Sequence, residues 1–336
     1  MPYDVSLVLP TQYADALQKY VHLIREAEEL GYFGVWMTEV SGAESMALLG
    51  AASQVTDRLH LGCGVVSVYT RTMPLLAMGA YTLDALSMHR FRLGVGASTA
   101  NIAERWHGVQ YRHPALRVRE SILLLRQLLD GQKTRFSGTT IVSDGFQLSG
   151  TGSIPPPIYV AALGADMLAV AGELADGVII TLSSRESIAK AMSIVDEAAR
   201  KAGRSPHDIR RVAYVRTCLT GDAAAAISWM QRELGWYASA KSYERHFRQM
   251  GYGAEMDGAN AAWAAKDHQK AFDSISPRMA RELAVIGNAT EVVAQLNYLA
   301  TVGLDELAIY AFQPTLGLDH LRRQIAAIAD TFAVAL

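Results

Sequence analysis

The sequence predicts an α/β fold in which eight parallel strands close into a (β/α)8 barrel, the TIM barrel. Short apolar runs alternate with longer amphipathic segments along most of the 336 residues. Strands that are separated by helices pair in parallel through right-handed crossovers. Eight such units favour a closed barrel over an open doubly wound sheet, and the length fits a barrel of about 250 residues with insertions. We expect one domain over residues 1–336.

The predicted strands are apolar runs of the length that is typical of strands buried on both faces. The seventh run alternates polar and apolar residues, which indicates one more solvated face. The strands are expected at Val5–Leu9, Gly34–Thr38, His60–Val66, Phe91–Gly96, Ile158–Ala161, Val178–Thr181, Val212–Leu219 and Glu306–Tyr310.

Each strand is followed, directly or after an insertion, by an amphipathic segment that we expect to form a helix. Pro74 suits the first turn of the third helix, and Gly31 and Gly303 follow predicted helix ends, where glycine is common. The helices are expected at Tyr13–Leu30, Glu44–Thr56, Pro74–Ser87, Ala115–Leu129, Asp166–Leu174, Glu186–Ala202, Thr290–Thr301 and Leu318–Phe332.

Two segments interrupt the alternation of strands and helices. Residues 133–148 contain two turn signals, Phe136-Ser137-Gly138 and Ser143-Asp144-Gly145, which predict an inserted hairpin. Residues 222–282 are rich in alanine and contain no strand-like run, so we predict a helical insertion. Its aromatic residues should form its own core, with some of them roofing a substrate pocket.

Composition and charge exclude several classes of function. The 31 Lys and Arg against 33 Asp and Glu give a net charge of −2, without the basic excess of a nucleic-acid-binding protein. Cys63 and Cys218 show neither disulfide-framework nor zinc-site spacing. No window is long and apolar enough for a membrane span, and the start lacks a basic signal-peptide region. We therefore expect a cytoplasmic protein with a small-molecule substrate.

The active site of such a barrel lies at the carboxyl ends of its strands. The residues there include no lysine for a Schiff base and no cluster of histidines and carboxylates for a metal, and Glu39 is the only acidic group. A mouth of small, apolar and hydroxyl residues suits a flat conjugated cofactor that supplies the reactivity itself.

Two segments fit such a cofactor. Gly62 and Gly64 end the third strand, where glycines indicate a bend, a bulge or a close backbone approach to a ligand. Residues 161–166 run from a strand into a helix, so the exposed N–H groups and the positive helix end could bind phosphate. The pair Gly94 and Gly96 lacks the third glycine of a dinucleotide-binding motif.

Four segments together resemble the bacterial luciferase-like superfamily, and in particular its coenzyme F420-dependent oxidoreductases. They are PPPIYVAALGADMLAVAGELADGVIIT (Pro155–Thr181), RFRLGVGAS with the following WHG (Arg90–Ser98 and Trp106–Gly108), LGCGVVSVYTRTMPLLA (Leu61–Ala77) and IGNATEVVAQLNYLATVGLDELAIY (Ile286–Tyr310). The resemblance implies a TIM barrel, a homodimer and bound F420, with FMN as the alternative cofactor.

The resemblance also implies the residues of the cofactor site. A non-prolyl cis peptide at Gly64-Val65 would press on the back of the ring. The phosphate would bind at Ala162, Leu163, Gly164 and Ala165, and the ring edge would contact Thr38, Glu39, Ala97, Ser98 and Asn101.

Five further side chains are candidates for catalysis or substrate binding. An apolar mouth would favour the neutral form of Glu39, which could then donate a proton; the alternative is a structural hydrogen-bond acceptor. His107 could face the substrate or serve only in packing. Tyr69, Arg71 and Trp106 are candidates for substrate contacts.

The predicted function is hydride transfer between C5 of the deazaflavin and a small organic substrate. Sugar-phosphate dehydrogenases of the resembling group carry an Asp-His pair where this chain has Thr38-Glu39. The missing base argues against alcohol oxidation and for reduction of an activated C=C or C=N bond. An FMN-dependent monooxygenase and a non-catalytic flavin-binding relative are the alternatives.

Overall fold

The structure is a computed structural model that describes residues 3–11, 17–150, 154–312 and 317–334. Its strands, in chain order, are β1 Asp4–Leu9, β2 Gly34–Met37, β3 His60–Ser67, β4 Phe91–Gly96, β5 Arg135–Ser137, β6 Val142–Asp144, β7 Ile158–Ala161, β8 Gly177–Thr181, β9 Arg210–Leu219, β10 Ala284–Gly287 and β11 Glu306–Ala311.

Eight of these strands close into the predicted parallel barrel. The order around the barrel is β1, β2, β3, β4, β7, β8, β9 and β11, and β11 pairs with β1 to complete the ring. The observed strands agree with the predicted runs to within two residues at each end. The (β/α)8 prediction is therefore confirmed.

Helices cover the outside of the barrel and build the insertion. They are α1 Leu17–Glu29, α2 Ser45–Ser53, α3 Met73–Leu86, α4 Pro114–Leu129, α5 Ala165–Leu174, α6 Arg185–Lys201, α7 Ala223–Ala238, α8 Lys241–Gln249, α9 Gly253–Ala264, α10 His268–Asp273, α11 Pro277–Glu282, α12 Ala289–Ala300 and α13 Leu318–Val334. The predicted start of the first helix, at Tyr13, falls outside the described residues. Within the described ranges, no helix combines the length and apolarity needed to cross a membrane.

Both predicted insertions are present. Strands β5 and β6 form the antiparallel hairpin, and α7 to α11 form the helical insertion. The hairpin is tied to the barrel by Glu120 of α4, whose carboxylate accepts hydrogen bonds from the backbone N–H groups of Thr140 (2.7 Å) and Ile141 (3.0 Å). These bonds give the backbone N–H groups at the tip of the hairpin a protein acceptor in place of solvent.

Strand β10 was not predicted from the sequence. It is only four residues long and follows the insertion directly, and it pairs in parallel with residues 216–219 of β9. The expectation of a solvated face on the seventh strand is also wrong, because β9 is buried from Val212 to Cys218. The insertion packs over the upper part of this strand, where Cys218 joins the core of the insertion.

A buried ion pair fills the amino-terminal end of the barrel. Arg92 Nη1 lies 2.6 Å from Glu306 Oε2, and the Trp36 indole N–H donates to Glu306 Oε1 at 2.7 Å. Burial raises the pKa of the Glu306 carboxyl, but the Arg92 charge and the hydrogen bonds outweigh that effect and hold it below its ordinary value. With this end closed by side chains, the carboxyl ends of the strands form the open end.

Candidate active site

The floor of the barrel mouth is a bulge at the end of β3. The structure has a cis peptide bond at Gly64-Val65, which confirms the placement made from the sequence. The pairing register of β3 against β4 shifts between Cys63 and Val66. As a result, the half-buried Val65 side chain lies inside the barrel, towards its open end.

Glycines make room for this bulge. A Cβ atom at Gly94 would lie 2.9 Å from Val65 Cγ1, and one at Gly96 would lie 2.9 Å from Val65 Cγ2. A Cβ atom at Gly64 would collide with the Tyr214 hydroxyl below it. Any side chain at these three positions would displace Val65 or the bulge, so the glycines of β3 and β4 keep this half of the mouth low and flat.

Glu39 is held as an ion at the end of β2. Its carboxylate accepts hydrogen bonds from both terminal nitrogens of Arg71, and from the backbone N–H (3.1 Å) and hydroxyl (2.8 Å) of Ser45. Burial raises the pKa of the Glu39 carboxyl, but the bonds from Arg71 and Ser45 outweigh burial and lower it. The expectation of a neutral Glu39 is therefore wrong, and the structural-acceptor interpretation matches the geometry, while a catalytic role for Glu39 stays a prediction.

Arg71 and Tyr69 are bonded to protein in this structure, and their substrate contacts stay predictions. Arg71 binds Glu44 as well as Glu39, so its guanidinium is occupied by two carboxylates. The Tyr69 hydroxyl donates to the Arg112 carbonyl at 2.7 Å, and burial raises its pKa to about 12. Both side chains hold the loops around the mouth, because their polar groups are already bonded to protein.

The remaining candidates after β4 follow the chain into an unpredicted π-helical turn over Asn101–Trp106. Ala97 is buried and Ser98 is half-buried, so these two lie at the mouth beside the bulge. Asn101, Trp106 and His107 are exposed on the turn. Among the described residues, no hydrogen bond or ion pair joins these three side chains to Glu39, and the roles predicted for them stay predictions.

The segment after β7 has the geometry expected of an anion site. Gly164 is the extended N-cap residue of α5 and provides no side-chain cap. A Cβ atom there would meet nothing within 4 Å, so the approach to the helix start is open. The first N–H groups of a helix lack intrahelical acceptors and carry the positive end of its dipole. Ala162 is anchored, since its N–H donates to the Ile179 carbonyl at 3.1 Å.

At the edge of β2, the backbone N–H of Thr38 donates to the Leu9 carbonyl at 3.1 Å. Thr38 is half-buried and directly follows β2, two residues after the inward-facing Trp36, so its side chain points to the same face. The Thr38 hydroxyl is therefore placed at the rim of the floor.

A buried polar cluster on the opposite side of the mouth was missed by the sequence reasoning. Arg216 of β9 points into the barrel, with its guanidinium carbon 3.8 Å from the ring centre of Tyr310. It bonds to Glu233 and Tyr237, which come from α7. The sequence RRVAYVRTCL could have indicated an inward-facing Arg216, because residues two apart in a strand, such as Tyr214 and Arg216, lie on the same face.

A separate cavity of about 410 Å³ lies on the outer wall of the barrel. It is bounded by the start of α6, by β10 and by α12, and its lining includes Ser183, Arg185 and Tyr298. Its lining includes none of Val65, Ala97, Ser98 and residues 162–165, so it is separate from the floor and from the start of α5. Among the described residues, no group of three histidine, cysteine or acidic side chains is placed to hold a metal ion.

The bulged floor and the open helix start occur on a chain whose sequence matches a known family model. The model for luciferase-like monooxygenases matches residues 5–306. The chain belongs to this family. It is an oxidoreductase, as are the relatives that follow.

Two curated relatives are similar to this chain, the first over most of its length and the second over about two thirds of it. The 5,10-methylenetetrahydromethanopterin reductase of Methanolobus tindarius is 28% identical over 301 residues, which cover 88% of this chain and 90% of the relative. The F420-dependent glucose-6-phosphate dehydrogenase of Mycolicibacterium gilvum is 30% identical over 228 residues, which cover 65% and 67% of the two chains.

A solved structure extends the likeness to the fold. The coenzyme F420-dependent tetrahydromethanopterin reductase from Methanopyrus kandleri superposes with a TM-score of 0.82 at 22% identity and covers 98% of each chain. At this level of identity, the likeness establishes the shared barrel fold.

Proposed function

We propose that the protein is an F420-dependent oxidoreductase that transfers a hydride between C5 of the deazaflavin and a small organic substrate. The glycine-lined floor carries this proposal. Val65 lies between Gly94 and Gly96, whose missing Cβ atoms leave a shallow apolar surface beside Ala97 and Ser98. A flat tricyclic ring fits such a surface, whereas a bulky side chain on β4 would fill it.

The residues for the rest of the cofactor follow from the loop geometry. Thr38, Ser98 and the more distant Asn101 would serve the polar edge of the ring. Leu163, Gly164 and Ala165 would hold its phosphate with backbone N–H groups at the start of α5, and Ala162, whose N–H is bonded to the Ile179 carbonyl, would fix the loop before them. When bound, the deazaflavin would supply the hydride chemistry, and FMN would be held by the same features.

The protein itself would orient the reactants and exclude water. Glu39 is ionised and shared with Arg71 and Ser45, so it would fix the loop after β2 and not transfer a proton. No histidine follows β2 to act as a base toward an alcohol. Reduction of an activated C=C or C=N bond needs no such base, and the similarity to a reductase supports this direction.

Separate titrations with F420 and FMN test the choice of cofactor. We expect F420 to bind saturably with a micromolar dissociation constant, and FMN to bind more weakly or not at all. Addition of a substrate should then cause oxidation of F420H2. Tight FMN binding with oxygen consumption, and none of F420, would instead support the monooxygenase alternative. Cofactor binding without any turnover would support a non-catalytic relative.

The homodimer is proposed from an apolar surface on α3 and its neighbour α4. Leu75, Met78 and Leu86 of α3 are 58%, 46% and 47% exposed, and Leu123 of α4 is 38% exposed. Exposed apolar residues clustered on one face are typical of protein interfaces. Light scattering should give a dimer mass for the wild type, and Leu75→Lys with Met78→Lys should give a monomer. A monomeric wild type would contradict this part of the proposal.

A further inference from the structure

The outer wall of the barrel has an opening between two strands that both pair with β9. Strand β8 pairs with residues 210–214 of β9, and β10 pairs with residues 216–219 on the same side. Val215 therefore has no partner strand on that side. Ala213 and Val215 alternate with the inward-facing Tyr214, so they point outward, and both line the cavity of about 410 Å³. This volume is in the range of small-molecule sites, about 300–1,000 Å³.

Hydrogen bonds to the helical insertion hold both walls of this cavity in place. On one side, the chain leaves β8 through Leu182, whose backbone is left-handed with a φ of 47°. His246 of α8 lies with its Nε2 atom 3.2 Å from the Leu182 carbonyl oxygen and 2.8 Å from Ser183 Oγ. On the other side, the Tyr252 hydroxyl donates to the carboxylate of Glu282. The cavity is therefore preformed, which lowers the conformational cost of binding a ligand.

The inner lining of the cavity is apolar. It includes the buried side chains of Ile188, Leu283 and Val285 and the half-buried side chain of Leu299. Tyr298, which is 61% exposed, adds an aromatic ring at the rim. A ligand gains free energy by burying an apolar body against such a lining, and the polar groups at the rim then decide which head group is accepted.

Arg185 is held at the rim with one end of its guanidinium free. Its Nε and Nη2 atoms donate to Thr301 Oγ1 at 3.2 and 2.9 Å, and its guanidinium carbon lies 4.6 Å from the centre of the Tyr298 ring. All of these contacts are to uncharged groups, and Nη1 has no hydrogen-bond acceptor among the described residues. Arg185 therefore presents a fixed positive charge without a carboxylate partner.

The other charged residues of the lining leave an excess of one positive charge. Arg281 is exposed, and it forms no ion pair within the part of the chain that the structure describes. Glu282 is bonded to Tyr252 and lies 3.6 Å from Arg278, so its charge is already compensated. Glu186, exposed in the first turn of α6, is the remaining acid of the lining. Two arginines against one glutamate suit a ligand with a single negative charge.

We propose that this cavity binds a monocarboxylate with a flat or narrow apolar body. The carboxylate would accept hydrogen bonds from Arg185 Nη1 and from Arg281, and the apolar body would lie on the inner lining. A phosphate monoester suits the rim less well, because its second negative charge would be uncompensated beside Glu186. The inference goes beyond the proposed function, because the cavity shares no lining residue with the floor of the mouth or with the start of α5.

A matched pair of probes tests the need for the negative charge. 2-Naphthoate carries a carboxylate, and 2-naphthamide has the same bicyclic ring with an uncharged amide. Each would be titrated into the full-length protein, with and without F420, and followed by ligand-observed NMR. We expect 2-naphthoate to bind at least about tenfold more tightly than 2-naphthamide, because charge-assisted hydrogen bonds are stronger than neutral ones. F420 should not displace 2-naphthoate, since the two sites are separate.

The variant Arg281→Gln removes one of the two cations from the rim. The side chain is exposed, so the fold should tolerate the change, and the preference for 2-naphthoate should fall to about threefold or less. Arg245→Gln is the matched control. Arg245 is also an exposed arginine of the insertion without an ion pair among the described residues, but it does not line the cavity, so its variant should keep the preference.

The variant Glu186→Gln changes the charge of the rim in the opposite direction. It removes the negative charge that repels a carboxylate, so the affinity for 2-naphthoate should rise by about twofold or more. The affinity for the uncharged 2-naphthamide should stay the same. A rise for both probes would mean that the glutamate side chain blocks the cavity and that charge does not select the ligand, which would contradict the inference.

The outcomes also show which site the probe occupies. Loss of the preference in Arg281→Gln but not in Arg245→Gln would support the carboxylate site. Equal binding of the two probes to the wild type, binding of neither, or equal effects of the two arginine variants would overturn the inference. Displacement of 2-naphthoate by F420 would place the probe in the barrel mouth and would also overturn it. Failure of F420 to bind would contradict the proposed function alone.

Discussion

The chemistry of Glu39 is set by the groups that surround its carboxylate. An isolated carboxyl in an apolar mouth would hold a proton, because burial disfavours the charged form. Arg71 donates hydrogen bonds to both carboxylate oxygens and Ser45 donates to Oε2, and these bonds reverse that preference. The position of Glu39 at a strand end could be predicted from the sequence, but Arg71 is 32 residues away in the chain, so its contact with Glu39 could not.

Glu39→Gln should therefore behave as a structural variant. The amide loses the charge that pairs with Arg71, and we expect the free energy of unfolding to fall by about 1–3 kcal/mol. Turnover and cofactor affinity should fall by similar factors, as measured by steady-state kinetics and cofactor titration. Glu44→Gln, at a carboxylate that is 48% exposed, is the matched control and should cost less. A large loss of turnover with unchanged cofactor affinity and stability would restore a catalytic role for Glu39.

At the scale of elements, β3 and β4 form the floor together. The resemblance to a known family placed the cis bond at Gly64-Val65, and the structure agrees. Gly94 and Gly96 are a weak motif on their own. The sequence could not show that Val65 of the neighbouring strand β3 occupies the space that side chains at these positions would need. Likewise, the Arg216 and Glu233 pair forms only because α7 folds back over β9, and neither residue type marks that contact in the sequence.

Gly94→Ala tests the floor directly. The added methyl group would press on the Cys63 carbonyl and on Val65 Cγ1, so we expect at least about a tenfold loss of F420 affinity. Gly221→Ala is the matched control, because a Cβ atom there meets nothing within 4 Å and its backbone is not left-handed. Fluorescence titration measures both affinities. Equal affinities for the two variants would mean that the ring does not lie on this floor.

At the scale of the whole molecule, one end of the barrel stabilises the fold and the other end is available for ligands. The amino-terminal end is filled by Arg92, Glu306 and Trp36, while the carboxyl end remains for ligands. Periodicity favoured the barrel over an open doubly wound sheet, because eight buried runs are separated by helices, and the family resemblance implied the barrel. It could not predict the π-helical turn at Asn101–Trp106 or the short strand β10, since four to six residues give too little periodic signal.

The closed end of the barrel should make stability depend on pH. Burial, followed by the Arg92 charge, lowers the pKa of His60 from 6.5 to about 4. As the pH falls from 6.5 to about 4, the unfolded chain gains a proton at His60 that the folded chain does not, so stability decreases. Urea unfolding across this range should show that slope, and it should be smaller in His60→Gln. The same slope in both proteins would rule out His60 as its source.

The most direct test of the central claim is a crystal structure of the protein with F420 bound. We expect the deazaflavin ring to lie on Val65, and the phosphate to bind the backbone N–H groups of residues 163–165. A ring bound elsewhere, for example in the cavity on the outer wall, or a phosphate away from the start of α5, would contradict the account.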